Sequence, residues 1–194
     1  MRTPFFLVLI SLAAAFSTGC AYSPQTVRLA PATLIAPSDR GHGVSVSVSV
    51  TDERPSQKIG QRSDAYGMGA EIRSDDNIAA IVADEINRGL LAKGFQTAAG
   101  SGSAAKLIVE VRLLEYDTST GFFTGGVHLR SAVKARATAG TLTYEKLYRS
   151  EKEERVAVVP TAETNAAWIN RSLSEVLQQL FSDDALLDFL AAAK

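Results

Sequence analysis

The chain holds one cysteine and two histidines, Cys20, His42 and His128, and these are the residues whose side chains react or titrate most readily near neutral pH. A thiolate nucleophile needs an imidazole beside it, and a structural zinc needs three or four such ligands. Cys20 closes a greasy N-terminal run, His42 lies in a proline-bearing stretch and His128 on a strand, so neither constellation is expected. A Gly-x-Ser-x-Gly elbow and a paired-acid signature are also missing. Tyr66-Gly67-Met68-Gly69 supplies Gly-x-Gly without the third glycine or the helix that a nucleotide loop requires. Asn170-Arg171-Ser172 matches a glycosylation sequon by chance. The expectation is a protein that is not an enzyme, with no catalytic residues, no metal and no cofactor.

Cys20 points to different chemistry. Arg2 gives a positive start, Phe5-Phe6-Leu7-Val8-Leu9-Ile10 an apolar run, and small residues lead to Gly19-Cys20. That order is a secretory signal, too short for the roughly 20 residues that span a bilayer. Ser17-Thr18-Gly19-Cys20 resembles the bacterial lipobox, whose cysteine takes a diacylglycerol and becomes the new N-terminus. Ser17 stands where that pattern usually has a leucine-like residue. No second cysteine exists to make a disulfide. Acyl chains, at roughly 0.8 kcal/mol per buried CH₂, would tether the protein to a membrane. Ala21, rather than aspartate, follows the cysteine, which by the lipoprotein sorting rule directs it to the outer membrane with the domain facing the periplasm.

Two further features carry possible binding chemistry. His128, Arg130, Lys134 and Arg136 share one strand face, and Arg130, Lys134 and Arg136 could grip an anionic lipid, glycan or small ligand. The same face could equally be solvated and balanced by Glu145, Glu151, Glu153 and Glu154. Trp168 falls off the apolar stripe of its helix and shares a face with Ser172, Glu175 and Gln179. A tryptophan on a polar face is a candidate partner contact, because such residues concentrate interface energy; a cover from Leu34-Ile35 is the competing reading. Asp52 and Arg54 lie on one side of an extended strand end, where they could salt-bridge to loops or to each other's neighbours, and a structural strand-end role is expected. The chain carries a net charge of −1, which gives no electrostatic case for nucleic acid.

These residues need elements to hold them. Residues 1–19 read as the signal peptide, 20–43 as a lipidated N-terminus with a proline-bearing tether (Pro24, Pro31, Pro37), and 44–194 as one domain. Valine and serine alternate strictly from Val44 to Val50, the period of a half-buried strand. Residues 51–64 read as a polar loop, followed by a second strand through Tyr66, Met68, Ala70 and Ile72. Ser74 to Asp76 offer caps for a helix with its stripe at Ile78, Ile81, Val82, Ile86 and Leu90, stopped by Gly94. Phe95 opens a short strand, and residues 100–103 form a turn. Leu107, Val109, Val111 and Leu113 face inward on a strand. After a loop over 121–126, Val127, Leu129, Ser131, Val133, Ala135 and Ala137 do the same. A strand from Leu142 to Tyr148 ends in a charged tip, Glu151 to Arg155. Thr161 caps the last long helix, with its stripe at Ile169, Leu173, Val176, Leu177, Leu180 and Phe181, and Asp183-Asp184 restart a short one. The fold class is α+β, an antiparallel or mixed sheet with two main helices on one face in a two-layer sandwich.

The order of parts resembles the YajG-type family of bacterial lipoproteins. The likeness rests on Gly19-Cys20, the valine strand running into Asp52-Glu53-Arg54, the helix ending Leu90-Leu91-Ala92-Lys93-Gly94-Phe95, the strand Leu107-Ile108-Val109-Glu110-Val111, and the closing helices around Ser182-Asp183-Asp184. It implies an outer-membrane lipoprotein of the Gram-negative envelope and brings no catalytic residues. The function read here is a lipid-anchored interaction or structural component with an envelope protein partner. The alternative is a binding module for an anionic small ligand, cell-wall glycan or lipid.

Overall fold

The computed structural model describes residues 23–63, 69–98, 102–120, 125–156 and 160–193. Strands β1 (Gln25–Thr26), β2 (Ser45–Asp52), β3 (Lys58–Ser63) and β4 (Gly69–Arg73) precede helix α1 (Ile78–Ala92). Strand β5 (Gln96–Thr97) leads to three long strands, β6 (Ala105–Thr120), β7 (Gly125–Ala139) and β8 (Leu142–Val156). Helices α2 (Ala162–Phe181) and α3 (Asp184–Ala191) close the chain.

The long strands form an antiparallel meander, β6–β7–β8. The other edge of β6 is shared. Its first half pairs in parallel with β2, its second with β3 at Gly60↔Tyr116, and β3, β4 and β1 continue the sheet from there. The result is a mixed sheet with three helices, curled as a half-barrel rather than the flat two-layer sandwich expected. A shared edge of this kind bends a sheet, because each half of β6 follows a different neighbour.

Hydrophobic period places the helices. Ile78, Val82, Ile86 and Leu90 of α1 are buried over β2, and every stripe residue of α2 is buried over β7 and β8. At Gly89 the two helices meet closely: a Cβ there would lie 2.1 Å from the Phe181 ring. Asn77, not the Ser74–Asp76 trio, caps α1 by accepting from Ala80 N at 3.1 Å. Thr161 and Asp183 cap α2 and α3 as expected. Gly94 ends α1 at φ +82°, a left-handed turn open to glycine.

Four further expectations are corrected. Residues 58–63 form strand β3, although Ile59 is its one large apolar side chain. It is held by β4 and by a backbone approach that leaves no room for a Cβ at Gly60, 1.8 Å from the Tyr116 carbonyl oxygen. In β6 the register shifts between Val111 and Leu113, so Leu113 pairs with Ala132, which alternates with the core-facing Ser131 and Val133, while Leu114 and Tyr116 are buried. A bulge turns the strand over in this way. Residues 151–155 are no tip, since β8 stays paired to β7 through Val156.

The fourth concerns the tether. Residues 23–43 lie on the domain as a strap. Gln25–Thr26 add to β4, and Val27 and Leu29 are buried in the core. The Leu29 amide donates to Asp76 at 2.6 Å, Ala30 to Asn170 at 2.7 Å and Ala32 to Ser174 at 2.9 Å. Arg40 ion-pairs with Asp184 and Asp188 of α3. Prolines here suit an extended strap whose backbone donors are satisfied by side chains of Asp76, just before α1, and of Asn170 and Ser174 on α2. Ile35 packs on the core, and Leu34 is 87% exposed.

Candidate functional site

Cys20 lies outside the described residues, as do Tyr66 and Met68. Strand β7 does place Arg130, Lys134 and Arg136 on the open sheet face, with Val127, Leu129, Ser131, Val133, Ala135 and Ala137 inward as expected. Each base meets an acid across the register. Arg130 reaches Glu115 at 2.7 Å and Asp117 at 2.6 Å on β6. Lys134 and Arg136 converge on Glu145 of β8 at 2.7 and 2.8 Å. Hydrogen bonds from Lys134 and Arg136 hold Glu145 below the usual carboxylate range, and Arg130 is raised chiefly by its hydrogen bond to Asp117. The ladder is therefore an alternating-charge lattice rather than a run of one sign. Glu145 was visible from the sequence as a balancing acid. Glu115 and Asp117 were not, because only the β6–β7 pairing brings them opposite Arg130.

Trp168 is half-buried and packs against the core. Its supposed polar face turns toward the sheet. Ser172 is buried, and its carbonyl accepts from Ser131 Oγ at 2.8 Å. Glu175 accepts from Ser150 Oγ at 2.8 Å and pairs with Lys152 at 3.2 Å. At Asp52, burial raises the carboxyl pKa, but hydrogen bonds from the Arg54 side chain and backbone outweigh it and lower the net value. Arg54 reaches back along the strand end to Asp52 itself at 2.8 Å, a structural role at the strand end in which the two partner each other in place of loops or neighbours.

Two buried polar clusters have no clear sequence signal. Asp183, 8% exposed, accepts from Tyr148 Oη at 2.6 Å, Tyr144 Oη at 2.8 Å and Lys146 Nζ at 2.8 Å, and caps α3 through Ala185 N. Burial pushes its carboxyl up, yet the hydrogen bonds from Lys146, Tyr148 and Tyr144 outweigh it and bring the pKa down to about 2. Burial, then the Asp183 charge and hydrogen bond, raise both tyrosines. The i, i+2, i+4 spacing of Tyr144, Lys146 and Tyr148 puts them on one strand face, but nothing in the chain marks Asp183 as their partner. The second cluster links Tyr116 Oη to Asn165 Oδ1 at 2.9 Å, and Asn165 Nδ2 to Gln25 Oε1 at 2.8 Å. Burial lifts the Tyr116 pKa to about 12. It fastens the strap to the start of α2.

Shallow clefts complete the surface. One of about 470 Å³ is lined by Ser47, Ser103, Lys106 and Thr138, and another of about 440 Å³ by Arg149, Glu151, Lys152, Glu175 and Gln179. Among the described residues, no cluster of three His, Asp or Glu side chains gathers as a metal site, and no helix is long and apolar enough to cross a membrane.

The fold resembles that of a DUF330-family protein from Xanthomonas campestris, with 17% identity over 82% of this chain and 91% of that one, at a TM-score of 0.51. Looser likenesses are a neuraminyllactose-binding hemagglutinin homolog from Helicobacter pylori (9% identity, 85% and 98% covered, TM-score 0.49) and lipoprotein GNA1162 from Neisseria meningitidis (14%, 72% and 99%, 0.28). No curated protein matches in sequence. A family model does, over residues 32–191: the chain belongs to the Lipoprotein_16 family of uncharacterised lipoproteins, the YajG type.

Proposed function

We propose that this lipoprotein is anchored by lipid on Cys20 to the outer membrane of the bacterial envelope, faces the periplasm, and acts by contact with an envelope protein partner rather than by catalysis. Membership of a lipoprotein family, the lipobox-like Ser17-Thr18-Gly19-Cys20 and Ala21 support the anchor and its destination.

The strap carries the reading. Among the described residues its contacts begin at Ser23, whose carbonyl accepts from Arg62 at 2.7 Å, and β1 starts at Gln25. Gln25 lies five residues along the chain from Cys20, a reach of at most about 18 Å. An anchor on Cys20 therefore keeps the domain against the membrane surface. That proximity suits a component working beside the bilayer. The anionic-ligand alternative has less support, because Arg130, Lys134 and Arg136 each already face a carboxylate.

The test is cross-linking in living cells followed by purification and mass spectrometry, for the native chain and for Cys20→Ser. One dominant envelope protein, recovered with the native chain and lost with Cys20→Ser, is expected. Recovery of no protein would overturn the contact reading.

A further inference from the structure

The sheet ends in an edge strand of unusual length. Strand β8 runs for 15 residues and pairs with β7 alone, without a register shift from Gly125↔Val156 to Ala139↔Leu142. Soluble proteins blunt such edges with short strands, prolines, bulges or charge. β8 has neither proline nor bulge; its guards are charge and the side chain of Gln179 from α2, which caps the Arg149 carbonyl.

That charge pattern complements itself. In an antiparallel pairing of two β8 strands about a two-fold axis at Ser150, Arg149 faces Glu151, Lys146 faces Glu154 and Glu145 faces Arg155. Each rung occurs twice, and none sets like charges opposite. Tyr148 meets Lys152, and Tyr144 meets Val156. Moving the axis to Arg149 sets Lys146 against Lys152 and Glu145 against Glu153. Moving it to Lys152 sets Glu151 against Glu153 and Arg149 against Arg155. Like charges directly opposite destabilise a strand pair, and opposite charges stabilise it. Lys146, Glu154 and Glu145 also serve partners inside the chain, so the exposed Arg149–Glu151 rungs beside the axis matter most.

Backbone geometry agrees. The Arg149 carbonyl accepts from Gln179 Nε2 of α2 at 2.8 Å, which marks it as turned away from β7. A carbonyl oxygen can accept two hydrogen bonds, so a neighbouring strand would bond Arg149 alongside Gln179 or displace it. Arg149 and Glu151 then fall on the outward set that such a strand would bond.

We infer that the free edge of β8 is an interface for a second copy of this chain, forming an antiparallel β8–β8 pair centred on Ser150. The pairing stands on the strand itself and does not depend on the lipid anchor. Full-length chain carrying Ser150→Cys tests it by mild oxidation in cells. The two introduced thiols would sit on the axis as a non-hydrogen-bonded pair, with Cα atoms about 4.5 Å apart, within disulfide reach. Native chain, with Cys20 alone, is the blank. Leu147→Cys would lie about 20 Å from its own copy and should stay uncross-linked. Arg149→Glu in the Ser150→Cys chain should cut the dimer at least tenfold, and adding Glu151→Arg should restore it. The inference fails if Ser150→Cys stays monomeric, if Leu147→Cys cross-links equally, or if the charge swap gives no rescue. None of these failures would alter where a Cys20→Ser chain is found in the cell.

Discussion

Neighbouring residues of β8 serve two carboxylate clusters on opposite faces of the sheet. Toward the helices, Tyr144, Lys146 and Tyr148 surround Asp183, whose side chain is 6% exposed. Toward water, Glu145 holds Lys134 and Arg136 with its side chain 41% exposed. The ion-pair distances are nearly the same. The difference lies in burial: where water is excluded, losing a partner strands a polar group, and where water enters, it replaces the partner at little cost. The inner face thus works as the scaffold and the outer face as an adaptable surface.

Several changes would break or sharpen that contrast. Asp183→Ala removes a helix cap and leaves the buried Tyr148 hydroxyl, the partly buried Tyr144 hydroxyl and Lys146 without their acceptor, and should lower stability by about 3 kcal/mol. Denaturant unfolding checks it, and Glu145→Ala should leave the midpoint nearly unmoved. Leu29→Ala should cost about 2–3 kcal/mol, because its side chain is 4% exposed. Leu34→Ala in the same strap, with Leu34 87% exposed, should change nothing measurable.

Acid gives an independent reading of the inner cluster. The Asp183 pKa is lowered from 3.8 to about 2, so its contribution is present above pH 4 and is lost as pH falls toward 2. The native chain should lose on the order of 2 kcal/mol across that window through this group. Asp183→Asn, already without the charge, should lose correspondingly less in pH-dependent unfolding. A smaller effect is expected of Tyr116→Phe, about 1–2 kcal/mol, from the unsatisfied Asn165 carbonyl oxygen. Amide exchange should then rise first around Gln25, since Asn165 also donates to that residue. Arg130→Ala with Arg136→Ala should shift the unfolding midpoint least of all.

Where apolar period was strong, the chain could be read directly. The stripes of α1 and α2, the valine face of β2 and the inward face of β7 all lie where spacing puts them. Legibility failed where long-range pairing decides. Strand β3 has too little apolar character to announce itself, and the Arg112 bulge turns Leu113 outward without any local cue. The last third of β8 reads as a charged tip because its inward Lys152 and Glu154 meet Glu175 and Arg171, polar partners on α2, instead of aliphatic side chains. The strap's prolines signal extended chain, but the acceptors that dock it, Asp76, Asn170 and Ser174, lie far along the sequence. At the candidate site, the basic face was visible, but its β6 acids and the sheetward turn of Ser172 beside Trp168 emerged only from the fold.

The central claim is that Cys20 carries the lipid that seats this domain on a membrane. Metabolic labelling with palmitate, followed by membrane fractionation of native chain and Cys20→Ser, tests it most directly. The account predicts label on the native chain in the outer-membrane fraction, and an unlabelled Cys20→Ser chain no longer held there. An unlabelled native chain, or a Cys20→Ser chain still bound to the membrane to the same extent, would contradict it.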